Sequence, residues 1–155
     1  MPLPQADLAV AAFGGPLLVG VYRDGELVEV VEREGKLSET LPPLFAELLE
    51  RYDIRSVRFS RGPGSLMSVK LLYIFLKTLA IARGIELYGC ESFAFSGGAP
   101  IKAVGDLYFV KEDGAIVTKR FPTPPKSAPT LPERLDALEC GSDTEPLYNI
   151  PAVEV

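Results

Sequence analysis

No histidine occurs anywhere in this 155-residue chain, and only two cysteines do. The first absence removes imidazole-ligated metal sites, Ser-His-Asp triads and Cys-His pairs at the level of composition. Cys90 and Cys140 stand far apart and lack the CxxC spacing of a zinc site or a redox dithiol, so they read as free thiols of a reducing compartment. Positive charge is in deficit: 16 Lys+Arg face 21 Asp+Glu, a formal −5, which leaves no bulk electrostatic footprint for gripping phosphate backbones. Long apolar runs are missing too. The longest, Leu66 to Ala82, is broken by Lys70 and Lys77, whereas a membrane span needs about 20 largely uncharged residues. The start, Met1-Pro2-Leu3-Pro4-Gln5-Ala6-Asp7, has no basic segment ahead of an apolar one and does not read as a secretory signal. A cytoplasmic protein without membrane association is the expectation.

What is present fits one α/β domain with a small annex, long enough to bury a core. Leu8 to Phe13 and Leu17 to Arg23 are apolar runs separated by Gly14-Gly15-Pro16, and Asp24-Gly25 supplies a tight hairpin turn into Glu26 to Glu32. Leu41, Leu44, Phe45, Leu48, Leu49 and Tyr52 recur at helical spacing, with Ser38 or Thr40 as candidate N-cap and Pro42-Pro43 tolerable only near the helix start. Ile54 to Ser60 reads as a strand, the stretch after Ser65 as a long helix stopped by Gly84, and Ile85 to Gly89 as another strand. The order β-β-β-α-β-α-β, with crossovers onto parallel neighbours, matches a ribonuclease-H-like unit over residues 1–96. Residues 97–155 form a reduced second subdomain. There, Leu107 to Val110 and Ala115 to Phe121 flank Asp113-Gly114 as a hairpin, and Pro122, Pro124, Pro125, Pro129 and Pro132 mark an extended linker.

Catalysis without histidine would fall to carboxylates or lysines. Glu32, Glu34, Glu47 and Glu50 lie on strand edges or polar helix faces, where solvated charge is the ordinary explanation, so no catalytic constellation and no metal site emerges. The turn Gly62-Pro63-Gly64-Ser65 follows a strand and opens a helix, a place where backbone N–H groups can hold an anion; Gly62, Gly64 and Ser65 are its candidate residues. It lacks the Gly-Lys-Ser/Thr ending of a P-loop, and a tight strand-to-helix turn with Ser65 as N-cap is the plainer account. Gly14-Gly15 has the same two readings. No cofactor is called for.

The helix after that turn carries more apolar surface than a sheet-packed helix needs. Val69, Leu72, Tyr73, Phe75, Leu76 and Leu79 suffice to seat it, yet Met67, Leu71, Ile74 and Ile81 form a second arc bordered by Lys70 and Lys77. Either the annex folds over this arc, or the arc is an oligomer or partner interface with lysines at its rim.

Ser60-Arg61-Gly62-Pro63-Gly64-Ser65-Leu66, and the later run Ala80-Ile81-Ala82-Arg83-Gly84-Ile85-Glu86-Leu87-Tyr88-Gly89-Cys90-Glu91-Ser92, resemble two segments of the TsaB (YeaZ) proteins. Those segments are Gly-Arg-Gly-Pro-Gly-Ser-Phe-Thr-Gly-Leu-Arg and Gly-Ile-Pro-Leu-Val-Gly-Val-Ser-Ser-Leu. Asp24-Gly25, the helix from Ser38-Glu39 to Leu49, and Glu145-Pro146-Leu147-Tyr148 also fall where that family has comparable features. The likeness covers residues 8–91 well and the rest loosely. It implies an actin-like fold and the role of non-catalytic partner to a TsaD-type catalytic subunit that makes N6-threonylcarbamoyladenosine on tRNA reading codons beginning with A. A TsaE-type ATPase would join the same complex, and tRNA would meet this subunit only indirectly. The resemblance further implies a homodimer or heterodimer through the helix after the Gly-Pro-Gly-Ser turn, which makes Met67, Lys70, Leu71, Ile74, Lys77 and Ile81 the expected partner interface.

Departures from that pattern shape the expectation. Ala12-Phe13-Gly14 stands where Asp-Thr-Ser is usual, and Leu37 where His commonly precedes Ser-Glu. In actin-like ATPases the turn after the first strand holds phosphate and a nearby acid helps place the metal; Ala11-Ala12-Phe13 supplies neither carboxylate nor hydroxyl, so nucleotide hydrolysis is not expected. Met67-Ser68 replaces a small Thr-Gly, Leu72 a later Gly and Lys70 an Arg, so a close helix-on-helix approach would have to open. Three classes of reading remain: a binding subunit, a minimal actin-like enzyme working at the two glycine turns, and a domain that closes on itself by a two-fold contact.

Overall fold

The computed structural model describes residues 2–125 and 128–147. An antiparallel meander comes first, β1 (Gln5–Ala11), β2 (Leu17–Arg23) and β3 (Glu26–Arg33). Asp24 and Gly25 turn β2 into β3 at φ values of 53° and 80°, the left-handed pair that matches the twist of a two-residue hairpin. Then α1 (Leu37–Arg51), β4 (Asp53–Ser60), α2 (Leu66–Arg83) and β5 (Glu86–Cys90) alternate. β1, β4 and β5 lie parallel and adjacent, as the two helical crossovers require. The resulting six-stranded mixed sheet runs β3-β2-β1-β4-β5-β9, with β9 (Cys140–Gly141) returning antiparallel to β5.

α1 begins earlier than its prolines imply. Lys36 occupies the cap position without a side-chain cap bond, and Pro42 and Pro43 lie inside the helix. Neither Ser38 nor Thr40 is the N-cap; the Thr40 hydroxyl donates back to the Lys36 carbonyl at 3.2 Å. Two missing N–H donors are a real cost, and burial of Leu41, Leu44, Phe45 and Leu48 against the sheet outweighs it.

The central strand dictates the layers. Ala6, Leu8 and Val10 of β1 face a core shared with Leu44, Phe45 and Leu48 of α1 and Leu72 and Leu76 of α2. Ala9 and Ala11, on the opposite side of the pleat, face a second core with Phe93, Phe95 and Phe109. That second core is closed by a three-stranded antiparallel sheet, β6 (Ile101–Val104), β7 (Leu107–Glu112) and β8 (Ala115–Arg120), in which Asp113 and Gly114 repeat the left-handed hairpin turn. Among the described residues, the annex therefore covers the sheet face opposite the helices, and none covers the outer arc of α2.

The proline-rich stretch, expected as an extended linker, is hydrogen-bonded to the rest of the fold. Its described residues form a strap tied to both layers: the Tyr22 hydroxyl donates to the Pro132 carbonyl at 2.7 Å, the Thr130 N–H to Phe95 O at 2.7 Å and the Leu27 N–H to Glu133 O at 2.9 Å. Burial pushes the Tyr22 hydroxyl up to about 12, so it stays a neutral donor at ordinary pH. Beyond the strap, β9 brings Cys140 opposite Cys90 at a Cα separation of 4.3 Å, and the two form a disulfide across 50 residues of sequence. This corrects the free-thiol expectation. Spacing rules weigh local pairs, whereas strand return decides this one; the free thiols are also gone as a ground for a reducing compartment. Among the described residues, no helix is long and apolar enough to cross a membrane.

Cys140→Ser is expected to lower the unfolding free energy by about 2–4 kcal/mol, the range for a loop of this size. Denaturant titration of the oxidised protein measures it. Amide exchange should accelerate most in residues 140–147, through local opening, and in β1 and β4 by no more than the loss of global stability.

Candidate functional site

The outer arc of α2 is built by a seven-residue spacing. Met67, Ile74 and Ile81 recur on one line, and they are 75 %, 50 % and 79 % exposed. Leu71 is half-buried beside them, and Lys70 and Lys77 are exposed on the other flank. The inner face is held by Val69, Leu72 and Leu76, all buried, with Phe75 meeting Phe45 edge-to-face at 5.3 Å. One face of the helix is thus internal, and none of the described residues covers the other. All six expected interface residues lie on or beside this outer surface.

The Gly-Pro-Gly-Ser turn is stitched to the end of β1. The Ser65 N–H donates to Phe13 O at 2.9 Å, and the Ala12 N–H donates to the buried Ser60 hydroxyl at 3.0 Å. Gly64 passes so close to Phe13 that a Cβ there would lie 2.5 Å from the Phe13 carbonyl oxygen. Gly62 has φ 123°, and a Cβ there would meet the Leu147 carbonyl at 2.6 Å. Both glycines therefore make room for the protein's own backbone. Ser65 occupies the cap position of α2, but its hydroxyl makes no cap hydrogen bond.

The two glycine turns singled out by sequence do meet, with Gly14 packed on Ser65. Between them and the start of α1 opens a cleft of about 580 Å³, lined by Gly14, Gly15, Lys36, Ser65, Met67 and Leu71 among others. Lys36 is the one charged residue in its lining, which includes no carboxylate to place a metal or accept a proton. Among the described residues, no group of three Asp, Glu or Cys could hold a metal ion. Met67 and Leu71 belong to both cleft and arc, so the cleft opens onto the exposed helix surface.

No protein-family model matches the sequence. No curated protein matches it either. Solved structures do: YeaZ from Pseudomonas aeruginosa superposes with a TM-score of 0.59 at 18 % identity, covering 84 % of this chain and 69 % of that one. An uncharacterised protein with similarity to peptidase YeaZ from Pseudomonas aeruginosa gives 0.54 at 18 % identity, with 84 % and 68 % covered. This chain has the YeaZ fold. It is a mixed α/β, actin-like architecture.

Within the YeaZ fold, the sequence gives no sign of the role of Arg61. Its guanidinium donates to the Glu145 carbonyl at 2.7 Å and to the Asp143 carboxylate at 3.3 Å, while its own carbonyl accepts from the Leu147 N–H at 2.7 Å. Arg61 thus ties the C-terminal return to the turn that opens α2. The Glu145-Pro146-Leu147 part of the family-like C-terminal motif sits here, and Tyr148 lies outside the described residues. No spacing signal links residues 84 positions apart.

Gly64→Ala is expected to destabilise the chain by more than about 1 kcal/mol, since the backbone of Phe13 has nowhere to retreat. Thermal or denaturant unfolding measures the loss, and an unchanged midpoint would contradict the tight approach.

Proposed function

We propose that this chain is a non-catalytic TsaB-type subunit that docks on a TsaD-type catalytic subunit, in the machinery that installs N6-threonylcarbamoyladenosine on tRNA. The observation that carries this reading is the uncovered arc of α2. Single exposed apolar residues are ordinary, but Met67, Ile74 and Ile81 recur along one line of α2, with half-buried Leu71 between the first two, an arrangement of the kind that marks an interface. Support comes from the YeaZ fold and from the Gly-Pro-Gly-Ser turn and helix that resemble the TsaB proteins. A cleft lined by one lysine and no acid, in a chain without histidine, supports an accessory role over a chemical one. The protein's own contribution is then geometric. α2 is seated on the shared core beside α1 and β5, and it presents the strip. A TsaE-type ATPase would join through the same assembly, and tRNA would touch the catalytic subunit.

Mixing the full chain with the TsaD-type subunit of the same organism should give a heterodimer by light scattering. Ile74→Glu should dissolve it and leave the monomer's melting temperature close to wild type, because a charge at a buried interface centre is costly while the position is half exposed in the monomer. A homodimer indifferent to the added subunit would sink this reading.

The isolated chain should show no measurable ATP turnover. A robust rate abolished by Ser65→Ala would show instead that the glycine turns form an active site.

A further inference from the structure

We propose that the surface docking on α2 is an amphipathic helix whose apolar strip is bordered by carboxylates, and not a second copy of α2. This deepens the accessory-subunit reading and rests on it. The ground is charge. α2 contains Lys70, Lys77 and Arg83 and no acidic residue, inside a chain whose formal charge is −5. Its basic character is local and therefore at odds with the rest of the surface.

Lys70 and Lys77 lie seven residues apart, like Met67, Ile74 and Ile81, so the two lysines run parallel to the apolar strip along one flank. On the other flank stand Leu71 and Thr78, and the Thr78 hydroxyl already donates to the Ile74 carbonyl at 2.8 Å. Among the described residues, Lys70 and Lys77 form no ion pair, whereas Lys111 and Lys119 pair with Glu91 and Glu112. Counting the residues of α2 alone, one side of the strip is therefore cationic and the other uncharged; Lys36 lies across the cleft from Leu71.

This asymmetry selects the occupant. A two-fold contact of α2 with itself is self-complementary in shape and anti-complementary in charge. It gathers two lysines from each copy along one seam, with no α2 carboxylate to answer them; the carboxylate bordering this flank, Glu145, already accepts from the Tyr73 hydroxyl at 3.4 Å. A helix with leucine-like side chains at seven-residue spacing and Glu or Asp on one flank covers the strip and neutralises both lysines. Rim pairs of this kind set orientation and association rate, while the apolar strip supplies affinity.

The test titrates the full chain with two synthetic helical peptides that share one leucine strip, one flanked by Glu and the other by Lys. The Glu peptide is expected to bind about tenfold tighter, which is about 0.7 kcal/mol for each of two rim pairs and within the range of exposed ion pairs. Salt should erode that preference. Lys70→Gln/Lys77→Gln should abolish it, and Ile74→Glu should lose both peptides. Equal binding, binding of neither peptide, or capture by phosphatidylserine vesicles in place of the Glu peptide would overturn the proposal. A wild-type homodimer unaffected by the two glutamines would do the same. A TsaD-type complex whose affinity ignores the two glutamines overturns the carboxylate rim alone and leaves the accessory-subunit reading standing. A Glu-peptide preference without any TsaD-type complex does the reverse.

Discussion

β1 is buried on both faces, and two covers have to be found for it. Its alternation sends Leu8 and Val10 to one side and Ala9 and Ala11 to the other. The small alanines let Phe93, Phe95 and Phe109 approach one face of the sheet closely, while the bulkier face accepts two helices. Burying a leucine or phenylalanine contributes about 1.5–3 kcal/mol, so neither face can be left open. Because α1 and α2 clothe one face and the annex the other, the outer surface of α2 has no part of the described chain left to cover it. The exposed strip is thus a consequence of how the sheet is clothed.

Edge closure follows a similar logic. The open side of β5 would be a template for unwanted strand pairing, and β9 occupies only its last two residues. So short a strand cannot hold itself by ladder bonds. The Cys90–Cys140 disulfide and the Arg61 contacts to Asp143, Glu145 and Leu147 supply the missing attachment. Both attachments act near the turn that starts α2, so the C-terminal return braces the end of the helix that carries the strip. At the opposite edge, the proline-rich strap bridges β3 through Glu26 and Arg134, and its lack of N–H donors at the prolines suits an edge more than a centre.

The functional reading comes down to an unusual division of charge and apolar surface. The cleft at the glycine turns has the position of a ligand site, yet its lining carries a single lysine and otherwise small or apolar groups. The strip has the opposite character, with large side chains in view and cations along one flank. Chemistry needs opposed donors and acceptors around a reacting atom, whereas docking needs a desolvated centre with a polar rim. The α2 surface fits the second, and the proposed docking role rests on it.

Local rules are enough for the elements that local forces dominate. The Asp24-Gly25 and Asp113-Gly114 turns, the Gly84 stop, the β-β-β-α-β-α-β order and the doubly apolar α2 are legible because left-handed backbone, helix periodicity and crossover handedness depend on neighbours a few residues apart. The start of α1 escapes those rules because burial of Leu41, Leu44 and Phe45 overrides two prolines, a tertiary effect invisible to capping patterns. Whether the annex or an outside partner faces Met67, Ile74 and Ile81 is likewise open in the sequence, since amphipathicity states that a face is apolar and not what lies against it. The Cys90–Cys140 bond, the Arg61 tie and the side of the sheet taken by the annex join residues tens of positions apart. Only the path of the folded chain brings such groups within reach, and so only the tertiary structure decided them.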